Sequence, residues 1–174
     1  MDISFNILTH NEGAPIQKLL NQIISYANET YEYEIVIVDD FSTDLETIAI
    51  LGKYAGYDNI QVFKRKLEMD FASQKNFAND QCTGKYIVNV DADEYFADIL
   101  IENIQEIISH NSEVDLFWCP RINTVEGLTD AHIQKWGWNV TGIDNMIDEK
   151  VMDTESDEYK LLKKYGLIIE ESDT

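Results

Sequence analysis

Three short apolar runs in this chain each end abruptly in polar or acidic residues. Residues 3–8 lead into Thr9-His10-Asn11-Glu12-Gly13, residues 34–38 into Asp39-Asp40, and residues 86–90 into Asp91-Ala92-Asp93-Glu94. Runs rich in Ile and Val read as buried strands. Carboxylates do not belong in a core, because a buried charge without a partner is costly. A strand that runs straight into acids must therefore surface where it stops. That constraint asks for a sheet whose strands end on a polar edge.

The stretches between these runs carry a helical period. Ala14 and Pro15 open a helix, with proline at a tolerated first-turn position. Ile16, Leu19, Leu20, Ile23, Ile24 and Ala27 then recur on one helical face. Ser42 or Thr43 can cap the next helix, and Thr43 with Glu46 fits a capping box. Residues 60–63 read as a third strand. Asp70 can cap a helix to about Cys82, which Gly84 ends. Residues 86–90 read as a fourth strand, buried and central. A helix is expected over 97–109, with Leu100, Ile101, Ile104, Ile107 and Ile108 inward, and a fifth strand over 114–119. Repeated strand–helix alternation predicts an α/β fold with a mostly parallel sheet flanked by helices on both faces. Ligands of such sheets bind beyond the carboxyl ends of the strands. Residues 9–12, 39–40, 64–66 and 91–93 should therefore share one rim.

Composition narrows the function classes. The 174 residues are 44% hydrophobic, enough for a core, and the formal net charge is -20. Such acidity argues against nonspecific grip on nucleic acid or anionic lipid, which needs basic patches. No apolar run approaches the roughly 18 residues of a membrane span. The N-terminus lacks the basic and long apolar regions of a signal peptide. Cys82 and Cys119 show no metal-ligand spacing and read as reduced core thiols of a cytoplasmic protein.

Each polar cluster admits two readings. Asp91 and Asp93, two apart at a strand end, cannot both stay ionised and close without a cation or strong donors. Mg²⁺ or Mn²⁺ relieves this, with diphosphate oxygens completing the shell; alternatively the acids cap the following helix. Of Asp39 and Asp40, one can accept from a nucleobase N–H or a ribose hydroxyl while the other shapes the Ser-Thr turn. The loop Thr9–Gly13 precedes a helix N-terminus, where free N–H groups collect; His10 either stacks on a base or is plain surface. Phe71, Lys75, Ala78 and Cys82 fall on one helical stripe, so Lys75 either snorkels out or reaches an anionic cleft. Asn76 and Asn79 beside it favour a polar cleft. Lys64-Arg65-Lys66 either attracts phosphate or is a solvated loop.

"ILTHNE", "IVIVDDFSTD" and "SQKNFANDQCTGKYIVNVDADEYF", in this order, resemble the family-2 glycosyltransferases of GT-A, Rossmann-like fold. The likeness covers roughly residues 3–96 and is similar to short, phage-like members. It implies a nucleoside diphosphate sugar, usually of UDP, across the strand ends. Thr9, His10, Asn11, Glu12, Asp40, Lys75, Asp91 and Ala92 form the implied nucleotide-binding set. Thr9 and His10 line the base pocket, Asp40 contacts the base, and Lys75 stands where a basic residue near the nucleotide is common. Asp91 faces ribose and metal, and Asp93 binds the Mn²⁺ or Mg²⁺ that bridges the diphosphate.

An inverting transfer would also need a carboxylate base for the acceptor hydroxyl. Asp130 or Asp144 is the candidate, with Glu126, His132 and Asp148 as further late groups. Trp136 and Trp138 either stack on an acceptor or belong to a core. The expected organisation is a transferase domain over 1–150, with the donor half at 1–96 and the acceptor half from 97. An acidic helical tail, or a truncated acceptor region, follows at 151–174. The acceptor is left open among glycan, protein, lipid and DNA base. The competing classes are a silent nucleotide-sugar-binding module, a phosphoacceptor receiver domain and a haloacid-type phosphatase. In a receiver the acidic pair would follow the first strand, whereas here it follows the second. The phosphatase wants a small hydroxyl residue where Tyr95 stands.

Overall fold

A computed structural model of the chain describes residues 2–27, 31–119 and Lys135. The chain divides into two compact units, Met1–Ser112 and Glu113–Thr174. In the first, strands and helices alternate strictly: β1 (Ile3–Thr9), α1 (Ala14–Ala27), β2 (Tyr33–Asp39), α2 (Leu45–Tyr54), β3 (Ile60–Lys64), α3 (Phe71–Gln81), β4 (Tyr86–Asp91) and α4 (Asp98–His110). The strands form one sheet in the order β3-β2-β1-β4, and all three pairings are parallel. This is the expected α/β architecture, and it brings the four strand ends to one edge.

Side-chain alternation decides what each face packs against. Ile3, Phe5 and Ile7 of β1, with Tyr33, Ile35 and Ile37 of β2, point into the main core. There they meet Ile16, Leu19, Leu20 and Ile23 of α1, Ile50 and Leu51 of α2, and Ile101 and Ile104 of α4. Each fully buried aliphatic side chain of this kind contributes about 1.5–3 kcal/mol. α3 lies against β1 and β2, and this interface is largely polar. Asn6 Nδ2 donates to Asn79 Oδ1 at 2.6 Å and to Asn89 Oδ1 at 2.9 Å.

A second polar cluster ties the start of β1 to the turn before β4. The buried Glu34 carboxylate accepts from Ser4 Oγ at 2.6 Å and from the backbone N–H and hydroxyl of Thr83. Burial pushes its pKa up, but the bonds from Ser4, Thr83 and Gly84 outweigh this and hold it below the usual value. Gly84 is required here. A Cβ on it would lie 2.6 Å from both the backbone nitrogen and the hydroxyl of Ser4.

Several expectations are corrected. β4 is not central: among the described residues it is the edge strand beside β1, and Ile87 is exposed. An apolar run marks a strand, but its place in the sheet depends on pairing. Residues 114–119 form no strand. Their alternation leaves Leu116 and Trp118 exposed, and no ladder forms for them among the described residues. Asp44, rather than Ser42 or Thr43, caps α2 and accepts from Thr47 N at 2.8 Å. That bond heads the causes that lower the Asp44 pKa. The stripe proposed for α3 is only partly its buried face: Ala78 is buried as expected, but Phe71 is exposed and Gln74, off the stripe, is buried. Cys82 is half-buried, with its thiol pushed up to about 11 by burial, but Cys119 is exposed rather than in a core. No described helix is long and apolar enough to cross a membrane.

Candidate functional site

Because the strands are parallel, residues 9–12, 39–40, 64–66 and 91–93 all emerge at the same sheet edge. Two backbone bonds knit this rim around β1. Asp40 N donates to Thr9 O at 2.9 Å, and Ala92 N donates to Leu8 O at 3.3 Å. Asp40 and the 91–93 turn therefore flank the end of β1.

The adjacent acids after β2 divide as strand periodicity requires. Asp39 continues the inward row of Ile35 and Ile37 and is fully buried. Its Oδ1 accepts from Ser42 N at 2.9 Å, shaping the turn, while Oδ2 has no partner among the described residues. Asp40 faces the rim, with 28% of its side chain exposed. Its Oδ1 accepts from Leu67 N at 2.8 Å and so pins the β3–α3 loop. Phe41 follows with φ near 50° and an exposed ring, and Lys66 Nζ lies 5.9 Å from that ring.

The loop after β1 is a hydrogen-bonded unit. Glu12 accepts from Thr9 Oγ1 at 2.6 Å and from His10 N. Gly13, with φ near 48°, donates its N–H to Thr47 Oγ1 at 2.8 Å. Asn11 also has positive φ, which its short polar side chain tolerates. Its N–H donates to Ser42 Oγ at 2.9 Å, and its Oδ1 accepts from the N–H groups of Thr43 and Asp44. His10 stands above this unit, with Nδ1 2.7 Å from Asp40 O and 3.9 Å from Asp40 Oδ2.

On the other side of β1, Lys75 reaches from α3 to place Nζ 2.7 Å from Asp91 Oδ1. Its stem thus carries the ammonium to the acidic end of β4. The Asp91 carboxylate is 47% exposed even so. Asp91 N–H donates to Glu94 Oε2 at 2.9 Å, which turns Glu94 back onto the strand end. Ala92 is buried in the core, so only its backbone can face the rim. Asp93 is exposed, without an ion-pair partner among the described residues.

No three Asp, Glu, His or Cys side chains converge on a metal position among the described residues. Asp91 and Asp93 follow one another at the end of β4 without a third carboxylate, imidazole or thiol completing a cage among the described residues. Mg²⁺ and Mn²⁺ suit such a pair when substrate phosphates complete the shell. The Lys64-Arg65-Lys66 cluster contributes less. Arg65 is committed to Gln74 Oε1 at 2.6 Å and Ser73 Oγ at 2.7 Å, and its guanidinium lies over the Phe77 ring.

The family model Glycosyl transferase family 2 matches residues 4–164. The chain belongs to this family. It is similar to the poly(ribitol-phosphate) beta-N-acetylglucosaminyltransferase TarS of Staphylococcus aureus, with 30% identity over 71% of this chain and 22% of that protein. A poly(ribitol-phosphate) beta-glucosyltransferase of Bacillus spizizenii is 27% identical over 88% of this chain and 24% of its own length. The S. aureus TarS 1-349 structure in complex with UDP-GlcNAc superposes with TM-score 0.57 at 28% identity, covering 64% of this chain and 32% of that one. The chain thus spans a quarter or less of the length of these two curated relatives. Membership sets aside the receiver and phosphatase readings and agrees with the GT-A-type fold.

The structure brings together Thr9, His10, Asn11, Glu12 and Asp40 on one side of the rim, and Lys75, Asp91, Ala92 and Asp93 on the other. Asp130, Asp144, Glu126, His132, Asp148, Trp136, Trp138 and the expected C-terminal helix lie outside the described residues. Phe41 escaped the sequence reading, although an aromatic directly after an acidic strand end was a visible signal.

Proposed function

We propose that the carboxyl edge of this sheet binds a nucleoside diphosphate sugar, of UDP in the first instance. The chain would thereby serve metal-dependent sugar transfer to an acceptor hydroxyl. One observation carries this reading: Asp40 and Asp91 flank the end of β1, each with a nitrogen group beside it, His10 and Lys75 respectively. This arrangement suits a ligand with a hydrogen-bonding base at one end and a diphosphate at the other. TarS, a relative by both sequence and fold, has been solved with UDP-GlcNAc and with UDP.

In this reading Asp40 accepts from the base and the His10 ring lies against it. Asn11 and Glu12 act indirectly, since their side chains are spent on the loop that carries His10. Asp91 and Asp93 would hold Mn²⁺ or Mg²⁺, which when bound offsets the charge developing on the departing diphosphate. Lys75 adds positive charge beside Asp91 and keeps that carboxylate oriented. Asp130 or Asp144 remains the proposed base for the acceptor.

A crystal soaked with UDP and Mn²⁺ tests the assignment. The expected density places uracil beside His10 and Asp40, with the diphosphate and metal at Asp91 and Asp93. Nucleotide bound away from this edge would overturn it.

A further inference from the structure

The loop after β1 carries a proton constraint that follows from donor and acceptor chemistry alone. Asn11 Oδ1 receives two backbone N–H groups, from Thr43 at 2.7 Å and Asp44 at 2.9 Å. Backbone nitrogens only donate, so the atom facing them must be the amide oxygen. The other amide atom, Nδ2, is therefore a donor, and it lies 2.9 Å from His10 Nε2. An imidazole nitrogen that accepts carries no proton. In the neutral ring the proton then sits on Nδ1, 2.7 Å from the Asp40 carbonyl oxygen, to which it donates. The two halves agree: a carbonyl can only accept, and Nδ1–H is what it meets.

We propose that Asn11 is a positioning residue that fixes both the tautomer and the plane of His10. One amide side chain holds the β2–α2 turn through its oxygen and the imidazole through its nitrogen. Both ring nitrogens are engaged, and the side chain is still 53% exposed. What the ring offers a ligand is therefore its π face, suited to a planar heteroaromatic base. This use of the face rests on the nucleotide reading above; the tautomer assignment does not. The acids facing His10 are Asp40, with Oδ2 3.9 Å from Nδ1, and Glu12, which accepts from the His10 backbone N–H.

Asn11→Asp separates the two duties of the side chain. It keeps an oxygen for the Thr43 and Asp44 N–H groups but replaces the donor facing Nε2 with a second acceptor. His10 must then carry a proton on Nε2, either by taking a second proton or by moving the one on Nδ1.

Two-bond ¹H–¹⁵N spectra of the ligand-free chain at mildly alkaline pH read this directly, with His10→Gln used to assign the ring. The expected wild-type pattern is a pyrrole-type Nδ1 and a pyridine-type Nε2. In Asn11→Asp the pyridine-type signal leaves Nε2, while the melting temperature stays near wild type. Asn11→Ala loses the staple and melts lower. A wild-type ring protonated on Nε2 would overturn the proposal, as would an Asn11→Asp ring with the wild-type pattern. Adding UDP to the wild type then tests the other reading separately. UDP that binds without moving the His10 ring signals would sink the base-stacking role and leave the tautomer assignment standing.

Discussion

The β1–β2 loops and the β4–α4 turn emerge at the same sheet edge, yet they are held by different forces. At the first, Asn11, Ser42, Thr43, Asp44, Thr47 and Glu12 form a continuous set of hydrogen bonds, with Asp39 buried beneath. At the second, Asp91 is half-exposed with one lysine beside it, and Asp93 is exposed. Directional hydrogen bonds, each acid there having N–H or O–H donors within the loops, hold a planar group in register without help. A set of neighbouring carboxylates repels itself and is completed by cations. The difference teaches a division of labour: in the proposed reading the base end is preorganised by the chain, and the diphosphate end is electrostatic and would be completed by a metal.

The comparison can be broken by substitution. The largest effect is expected from Asp93→Ala. It should remove the Mn²⁺-dependent gain in UDP affinity, on the order of a hundredfold, while leaving the melting temperature of the free chain near wild type. Calorimetric titration with and without Mn²⁺ checks this, and an unchanged metal dependence would count against the electrostatic account of that end.

Gly84→Ala probes the framework beneath both ends. The added Cβ meets backbone at 2.6 Å, which cannot swing aside as a flexible side chain would. A loss of about 1–3 kcal/mol is expected from urea unfolding; a neutral result would mean that the turn before β4 shifts freely.

The framework at the opposite end of the strands has a pH signature. Glu34 has a folded pKa below its unfolded value near 4.5. Below that pH the unfolded chain binds the proton more readily than the folded one. The stability that Glu34 contributes is present above this pH and is lost as pH falls through the folded value. Glu34→Gln should flatten the loss of stability below about pH 4.5, seen in unfolding midpoints across pH. An equally steep acid limb in the variant would remove Glu34 from the account.

A small loss of stability is expected from Lys75→Met. The ion pair with Asp91 is partly exposed, so about 1 kcal/mol or less should be lost. The same change should weaken UDP binding. Large destabilisation with unchanged binding would make Lys75 a structural residue only.

Much of this was legible in the sequence, for identifiable reasons. β1 and β2 are buried on both faces, so they read as near-continuous apolar runs, and the inner face of α1 showed its full helical period. The Asp39–Asp40 division was written in the alternation of Ile35, Ile37 and Asp39, though it was the family resemblance rather than this alternation that singled out Asp40. What failed depended on partners distant in sequence. α3 buries Gln74 because Arg65, nine residues earlier, satisfies it on both sides, and no helical period foretells that. β4 looked central because Tyr86–Val90 is apolar, but pairing alone sets a strand's place. The part played by Asn11 needed two loops some thirty residues apart to be brought together.

The central claim, a nucleotide site completed by metal at this edge, is tested most directly by ligand linkage. At UDP about a hundredfold above its dissociation constant, with Mn²⁺ present, the folded state should gain about 2.7 kcal/mol. The account predicts a melting temperature raised by roughly 5–10 °C, and a smaller rise when the metal is chelated. No rise with either UDP or GDP in the presence of Mn²⁺ would contradict it.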